Sequence, residues 1–594
     1  MKAHLQSLLR DSLAAVLRES AATVAAPDAI QVEATKDTRH GDFASNLALM
    51  IAKPLGKPPR AVAELLVKHL PASPQVTKVE IAGPGFINFF LAGDAFHSVV
   101  RAVLEQGERY GRVAPQADRK VMVEFVSANP TGPLHVGHGR NAAYGDSLAN
   151  LLEATGWTVW REYYINDAGR QVDVLTVSVW LRYLEALGET VKLPARGYPG
   201  NYLLATADKL EAQHGRDFHR AAADVFHDLP AEPAAKEHAD DAEKEHIKAA
   251  QESYLDALIG HARRLLGNAY DTVQRFTLED QLAAIRLTLE GFGVRFDRWY
   301  SERELVESGA AEKARATLKG SGHTYEKDGA LWFRTTERGD DKDRVLVRAN
   351  GAPTYFGNDL AYHVDKMNRG WPQLIDVWGA DHHGLLVRMR AAIESLTGRK
   401  DALRVQLIQF VTLSSGKMGK RSGNFVTLQD LINEAGCDAT RFFYLMRSHD
   451  QHLEFDIDLA KERSTDNPVF YVQYAHARIR SVFAQLAERG GKWDRELGDK
   501  SLSRLDNEHE KALLTALNRY PEVLRSAATN CAPHTLAFYL KNELADALHS
   551  YYNAHKFLGD DAPLQAARLA LIEAVRVVLA SGLGILGVSA PDSM

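Results

Sequence analysis

The chain has 594 residues, 45% of them hydrophobic and 25% charged, with a formal net charge of −6. That length predicts three or four domains with sizeable cores, and no apolar run is long enough for a membrane span. Two cysteines, Cys437 and Cys531, exclude a disulfide framework or a Cys-rich zinc knob and fit a reducing cytosol.

The first segment, MKAHLQSLLRDSLAAVLRES, repeats at helical spacing around an acidic residue and reads as an amphipathic helix, not a signal peptide. The loop TKDTRHGDFASN and the helical PRAVAELLVKHL follow. KVEIAGPGFINFFL (Lys78–Leu91) then alternates around Gly83-Pro84-Gly85, predicting two short strands and a turn. Residues 1–110 therefore read as a separate α+β unit.

From Lys120 the pattern changes. KVMVEFV is a near-continuous apolar run, as expected of a buried parallel strand. A Pro/Gly loop leads to a helix through NAAYGDSLANLLEATG, ending at Gly156, and TVWREYYI supplies the next strand. This strand–helix–strand unit predicts a right-handed crossover in a Rossmann-type parallel sheet over 115–465, with a helical insertion at about 170–330. The charged KEHADDAEKEHIK reads as a solvated helix face. The sheet is expected to resume at DRVLVRANGAPTYF and to continue through LIDVWGADHHG and VQLIQFVTL. Residues 466–594 read as all-helical. No internal repeat is evident.

Two loop motifs carry the chemistry. His135-Val136-Gly137-His138 opens a helix just beyond a strand, where unpaired N–H groups and the positive dipole end suit a phosphate. Gly137 and Gly139 would let a ligand approach the backbone. Three other readings compete. Gly137-x-Gly139-x-x-Ala142 with Glu162 formally matches a dinucleotide fingerprint, although a long loop separates it from the strand. His135 and His138 could also ligate a metal or be ordinary loop residues. The second motif, Lys417-Met418-Gly419-Lys420-Arg421, is a cationic loop suited to a polyphosphate and is not a Walker A sequence.

Together, in this order, the two motifs resemble the HIGH and KMSKS motifs of class I aminoacyl-tRNA synthetases. Gly419 and Arg421 depart from the second motif, while both lysines are kept. GADHHG resembles the segment that the class uses around ATP, pointing to Gly379, Asp381 and His382. The flanking residues narrow the resemblance to arginyl-tRNA synthetases of bacterial type. A guanidinium needs fixed carboxylates. Glu124 ends the first strand, and Tyr355-x-x-x-Asp359 places two side chains on one helix face. Glu124, Ser127, Asn129, Tyr355 and Asp359 match the family's arginine-binding positions one by one. Residues 1–110 resemble its N-terminal tRNA-contacting domain, and 466–594 its anticodon-binding domain.

The resemblance implies catalytic roles for His135, His138, Lys417 and Lys420, and ATP contacts from His135, Gly137, His138, Gly379, Asp381, His382, Lys417, Met418 and Lys420. It implies ATP with Mg2+ as the substrate complex, no structural metal, and L-arginine and tRNA(Arg) as partners of a cytoplasmic monomer. Two other classes stay open: a different class I synthetase or nucleotidyltransferase, and a non-catalytic RNA-binding relative.

Overall fold

Five short strands form the central sheet of the computed structural model, which describes residues 2–19, 27, 30–35, 38–234, 240–414 and 426–594. These strands are β1 (Lys120–Glu124), β2 (Thr158–Ile165), β3 (Arg298–Ser301), β4 (Gln373–Gly379) and β5 (Leu403–Ile408). All pairings are parallel and the spatial order is β5-β4-β1-β2-β3. Strand order reverses between β1 and β4, and at such a switch point the loops diverge to leave a crevice beyond the carboxyl ends. The expected Rossmann-type sheet is therefore present.

Helix α1 (Val136–Ala154) makes the crossover from β1 to β2 and is buried along almost its whole length. Gly145 permits this close packing, because a Cβ there would lie 2.3 Å from Phe125 Cγ. The chain leaves α1 through Gly156 at φ +92°, as its helix-ending position predicts.

Two expectations need correction. β3 lies inside the segment at about 170–330 read as a helical insertion; its four residues are too few to show a period. Arg344–Val347, read as the return to the parallel sheet, instead joins Thr324–Lys327 and Ala330–Phe333 in a three-stranded antiparallel sheet. A short apolar run fixes a strand but not its partner.

The helices Arg170–Ala186, Tyr202–His214, Asp241–Leu266 and Ala269–Gly291 enclose their own core around Trp180, Leu255, Leu258 and Val273. Of the charged run, residues 236–239 lie outside the described residues, and most of residues 241–248 are exposed on their helix as expected. Tyr202 donates to the Thr131 carbonyl at 2.6 Å, so this unit grips the loop after β1.

At the N-terminal end a four-stranded antiparallel sheet carries the expected hairpin, Val76–Ala82 with Phe86–Leu91. Beyond Pro468 the described chain is helical, and its apolar faces share one core with α1 and β1. The buried Arg441 pins this junction, bonding Asp146 at 2.5 Å and the Leu586 carbonyl at 3.0 Å. No helix among the described residues is long and apolar enough to cross a membrane.

Candidate active site

The loop from β1 to α1 is bent by two residues outside the usual backbone regions, Val126 at φ +65° and Ser127 at φ +38°. For a β-branched valine this is a strained conformation that its surroundings must enforce. Asn141 on α1 does so: its Oδ1 accepts the Val126 N–H at 2.8 Å, and its Nδ2 donates to the Val377 carbonyl of β4 at 3.0 Å. One amide thus ties both lips of the switch point together. The bend lets Ser127 Oγ donate back to Glu124 Oε1 at 2.9 Å while accepting the Tyr164 N–H at 3.1 Å.

His135 caps α1. Its Nδ1 accepts the N–H groups of Gly137 and His138 at 3.0 and 3.3 Å, and His138 Nδ1 accepts the His135 N–H at 3.2 Å. The two rings stack at 3.6 Å. Burial lowers the pKa of both, and for His138 the neighbouring imidazole adds to the effect. Both are neutral at pH 7. A neutral imidazole whose Nδ1 accepts must carry its proton on Nε2, so each ring offers one Nε2–H donor. A Cβ at Gly137 would lie 2.9 Å from His135 Cε1, so this glycine makes room for the capping ring. Gly139 corrects an expectation. Its Cβ would lie 2.5 Å from Leu428 Cδ1, so packing against the helix Leu428–Ala435, not ligand approach, requires glycine there.

A cavity of about 950 Å³ opens at the switch point. Ser127, Asn129, His135, Gly137, His138 and Asn141 line one side, and Gly379, Asp381 and His382 at the end of β4 line another. Phe410 stands in the wall 61% exposed. Lys417, Met418 and Lys420 of the second motif lie outside the described residues, but Leu413 and Val426 on either side belong to the cavity wall.

Helix α2 (Tyr355–Asn368) packs beside the central sheet, with Lys366 against Glu124 of β1 and Asp376 of β4. Asp359 is partly buried and makes no ion pair among the described residues. Burial, with the negative charge of Glu124 and Asp376, pushes its carboxyl up to about 6. Glu302, just past β3, is pushed up to about 7 by burial and by Asp359 and Asp167, and it accepts the amide of the cavity residue Asn166 at 2.8 Å. Glu302 was not foreseen from sequence. Ser301-x-x-Glu304 reads there as an ordinary helix start, and Ser301 Oγ does accept the Glu304 N–H. Four acids, Glu302, Asp359, Glu124 and Asp167, act on the Tyr164 phenol, which burial first and then their charge hold well above its ordinary pKa. Glu124 is already occupied, by Ser127 on one oxygen and by Lys366 Nζ at 2.5 Å on the other. Tyr355 is 88% exposed, so α2 presents its ring to solvent and not to Asp359. Asn129 Nδ2 donates to Gln171 Oε1 at 2.8 Å.

The dinucleotide reading is overturned by Glu162, which is fully buried with both oxygens held by Arg369 at 2.7 Å and so cannot reach a ribose. No group of three or more His, Cys, Asp or Glu able to hold a metal ion occurs among the described residues.

Comparison with known proteins decides the family. The arginine–tRNA ligase of Legionella pneumophila (strain Corby) is 49% identical over 600 residues, covering all of both chains. The chain belongs to the arginyl-tRNA synthetase family. That of Halorhodospira halophila is 52% identical over 601 residues, again covering both chains in full. Family models match at residues 3–91 (arginyl tRNA synthetase N terminal domain), 99–194 (tRNA synthetases class I (R), catalytic domain) and 472–594 (DALR anticodon binding domain). The solved Thermus thermophilus arginyl-tRNA synthetase, 24% identical, superposes over the full length of both chains with a TM-score of 0.73 and has the same fold. The enzyme is thus a class I aminoacyl-tRNA synthetase and an ATP-using ligase.

Proposed function

We propose that the enzyme joins L-arginine to tRNA(Arg) in two steps at the β1/β4 crevice. An arginine carboxylate oxygen attacks the α-phosphorus of ATP, and the bond to pyrophosphate breaks. The 2′-hydroxyl of the terminal adenosine of the tRNA then attacks the acyl carbonyl, losing its proton as AMP departs. The observation that carries this reading is two neutral Nε2–H donors at a helix N-terminus in the crevice, with the acids Asp359 and Glu302 lying behind its described wall, Glu302 against the wall residue Asn166.

His135 and His138 hydrogen-bond the phosphates as charge moves during adenylate formation. Gly137, Gly379, Asp381 and His382 border the nucleotide. Lys417 and Lys420, with Met418 between them, bring the cationic charge that the described cavity wall lacks. Mg2+ arrives with ATP and is held mainly by its phosphates, since the described wall carries one carboxylate, Asp381.

On the other side Asp359 and Glu302 take the guanidinium, whose five donors fit two carboxylates that make no ion pair among the described residues. Glu124, occupied by Lys366 and Ser127, adds negative potential and fixes Ser127. Ser127 and Asn129 hold the substrate's amino and carboxylate groups, and Tyr355, whose ring faces solvent, would have to turn inward to cover the bound side chain. Residues 1–110 contact the tRNA, 115–465 hold the chemistry and 466–594 take the anticodon, in a monomeric cytoplasmic enzyme.

Aminoacylation of total tRNA tests this reading. Charging with arginine and with no other standard amino acid is the expected result. Charging with a different amino acid, or none from folded protein, refutes it.

A further inference from the structure

The register of the central sheet sets three acids side by side. Asp376 of β4 pairs with Glu124 of β1, and Glu124 pairs with Glu162 of β2. All three are buried. Neighbouring strands lie about 4.8 Å apart, and like charges directly opposite one another are destabilising. The row is stable because α2 and the residue just beyond it lay two cations, Lys366 and Arg369, and the His363 and Tyr362 side chains over it. His363 Nε2 lies 2.6 Å from Asp376 Oδ2. Lys366 Nζ, with no exposed surface, bridges Glu124 Oε2 at 2.5 Å and Asp376 Oδ1 at 2.9 Å. Arg369 holds both oxygens of Glu162 at 2.7 Å, and the Tyr362 hydroxyl donates to the same carboxylate at 2.6 Å.

Residues 363, 366 and 369 recur every three positions, so one face of α2 is keyed to three strands at once. Asp359 sits one turn upstream on this helix, and its carbonyl is hydrogen-bonded to His363 Nδ1 at 2.6 Å. An apolar helix–sheet contact would be at least as stable as buried ions, but it would tolerate sliding and rotation. Ion pairs at fixed strand positions do not.

We propose that this row of acids and cations is the device that registers the amino-acid-recognising helix against the sheet, with Lys366 as its central positioning residue. Lys366 touches no substrate. It acts through Glu124, and thereby Ser127, on one side, and through the placement of Asp359 on the other. This rests on the reading that these residues receive arginine. Failure of the wild-type enzyme to use arginine would sink that reading, whereas the variants below address only the positioning.

The test is steady-state kinetics of Lys366→Met, Glu124→Gln and the double variant, with arginine and ATP varied separately. Lys366→Met should raise KM for arginine by roughly tenfold or more while KM for ATP stays within about twofold. Because both changes act through one contact, the double variant should be no worse than the poorer single one. If Lys366→Met does not fold, Asp376→Asn, which takes one of the two carboxylates from Lys366, should show the same selective loss for arginine. Equal losses for both substrates, additive effects of the two changes, or an unaltered arginine KM would overturn the proposal.

Discussion

The two sides of the switch point solve opposite electrostatic problems. On the side proposed for the nucleotide, His135 and His138 are neutral and locked by backbone hydrogen bonds, so the described wall would offer a polyanion dipoles and N–H donors in place of fixed cationic charge. On the side proposed for the amino acid charge is dense, with three acids in a row bonded from α2 and Arg369, and with two more, Asp359 and Glu302, that make no ion pair among the described residues. A site that must release pyrophosphate gains from not binding it too tightly in the ground state. A site that must tell one side chain from all others gains from buried charges that only the correct partner satisfies.

The largest expected effect breaks the charged side. Asp359→Asn should lower kcat/KM for arginine by roughly a thousandfold, since a buried site built for a charged partner rejects a mismatch strongly. Tm should not fall. The carboxyl of Asp359 has its pKa raised to about 6 by folding, so above that pH its ionisation opposes folding, and its removal is neutral or stabilising at a pH of about 7.5. Next, Lys420→Ala should lower kcat by roughly a hundredfold with little change in arginine KM, as loss of a transition-state charge contact predicts. If both parameters fall together, the nucleotide side is not confined to charge stabilisation.

Asn141→Ala should remove the link between the two lips. Two buried hydrogen bonds are lost, and a decrease in stability of about 1–3 kcal/mol is expected by chemical denaturation. The smallest effect is in pH. Guanidinium binding needs Glu302 and Asp359 ionised, so kcat/KM for arginine should decline as pH falls through about 7 toward 6. Glu302→Gln should move that limb down toward the value of Asp359. A limb that stays in place would assign it to another group.

Much of this was legible in the sequence. The strands β1, β4 and β5 announce themselves as apolar runs and β2 by its alternation, and both histidines, Ser127 and Asn129 line the cavity beyond them. What escaped was set by pairing across long sequence distances. Asp376 and Glu124 become neighbours only through strand register, far apart in the chain, and nothing local to Lys366 reports that its ammonium bridges them. Asn141 looked like one polar residue in a helix start, because its role depends on Val126 being strained and on β4 lying beside β1. Tyr355 and Asp359 have the spacing of one helix face, yet Tyr355 is exposed at the helix start while its neighbours Phe356 and Gly357 are buried and Asp359 is partly so.

The most direct test of the contrast between the two sides uses citrulline, which keeps the shape of arginine and lacks its charge. Pyrophosphate exchange into ATP, with tRNA present, should be at least about a thousandfold more efficient with arginine than with citrulline in the wild-type enzyme. In Asp359→Asn that ratio should collapse toward unity. Comparable use of both substrates by the wild-type enzyme, or an undiminished ratio in the variant, would contradict the account of a charge-reading amino-acid side.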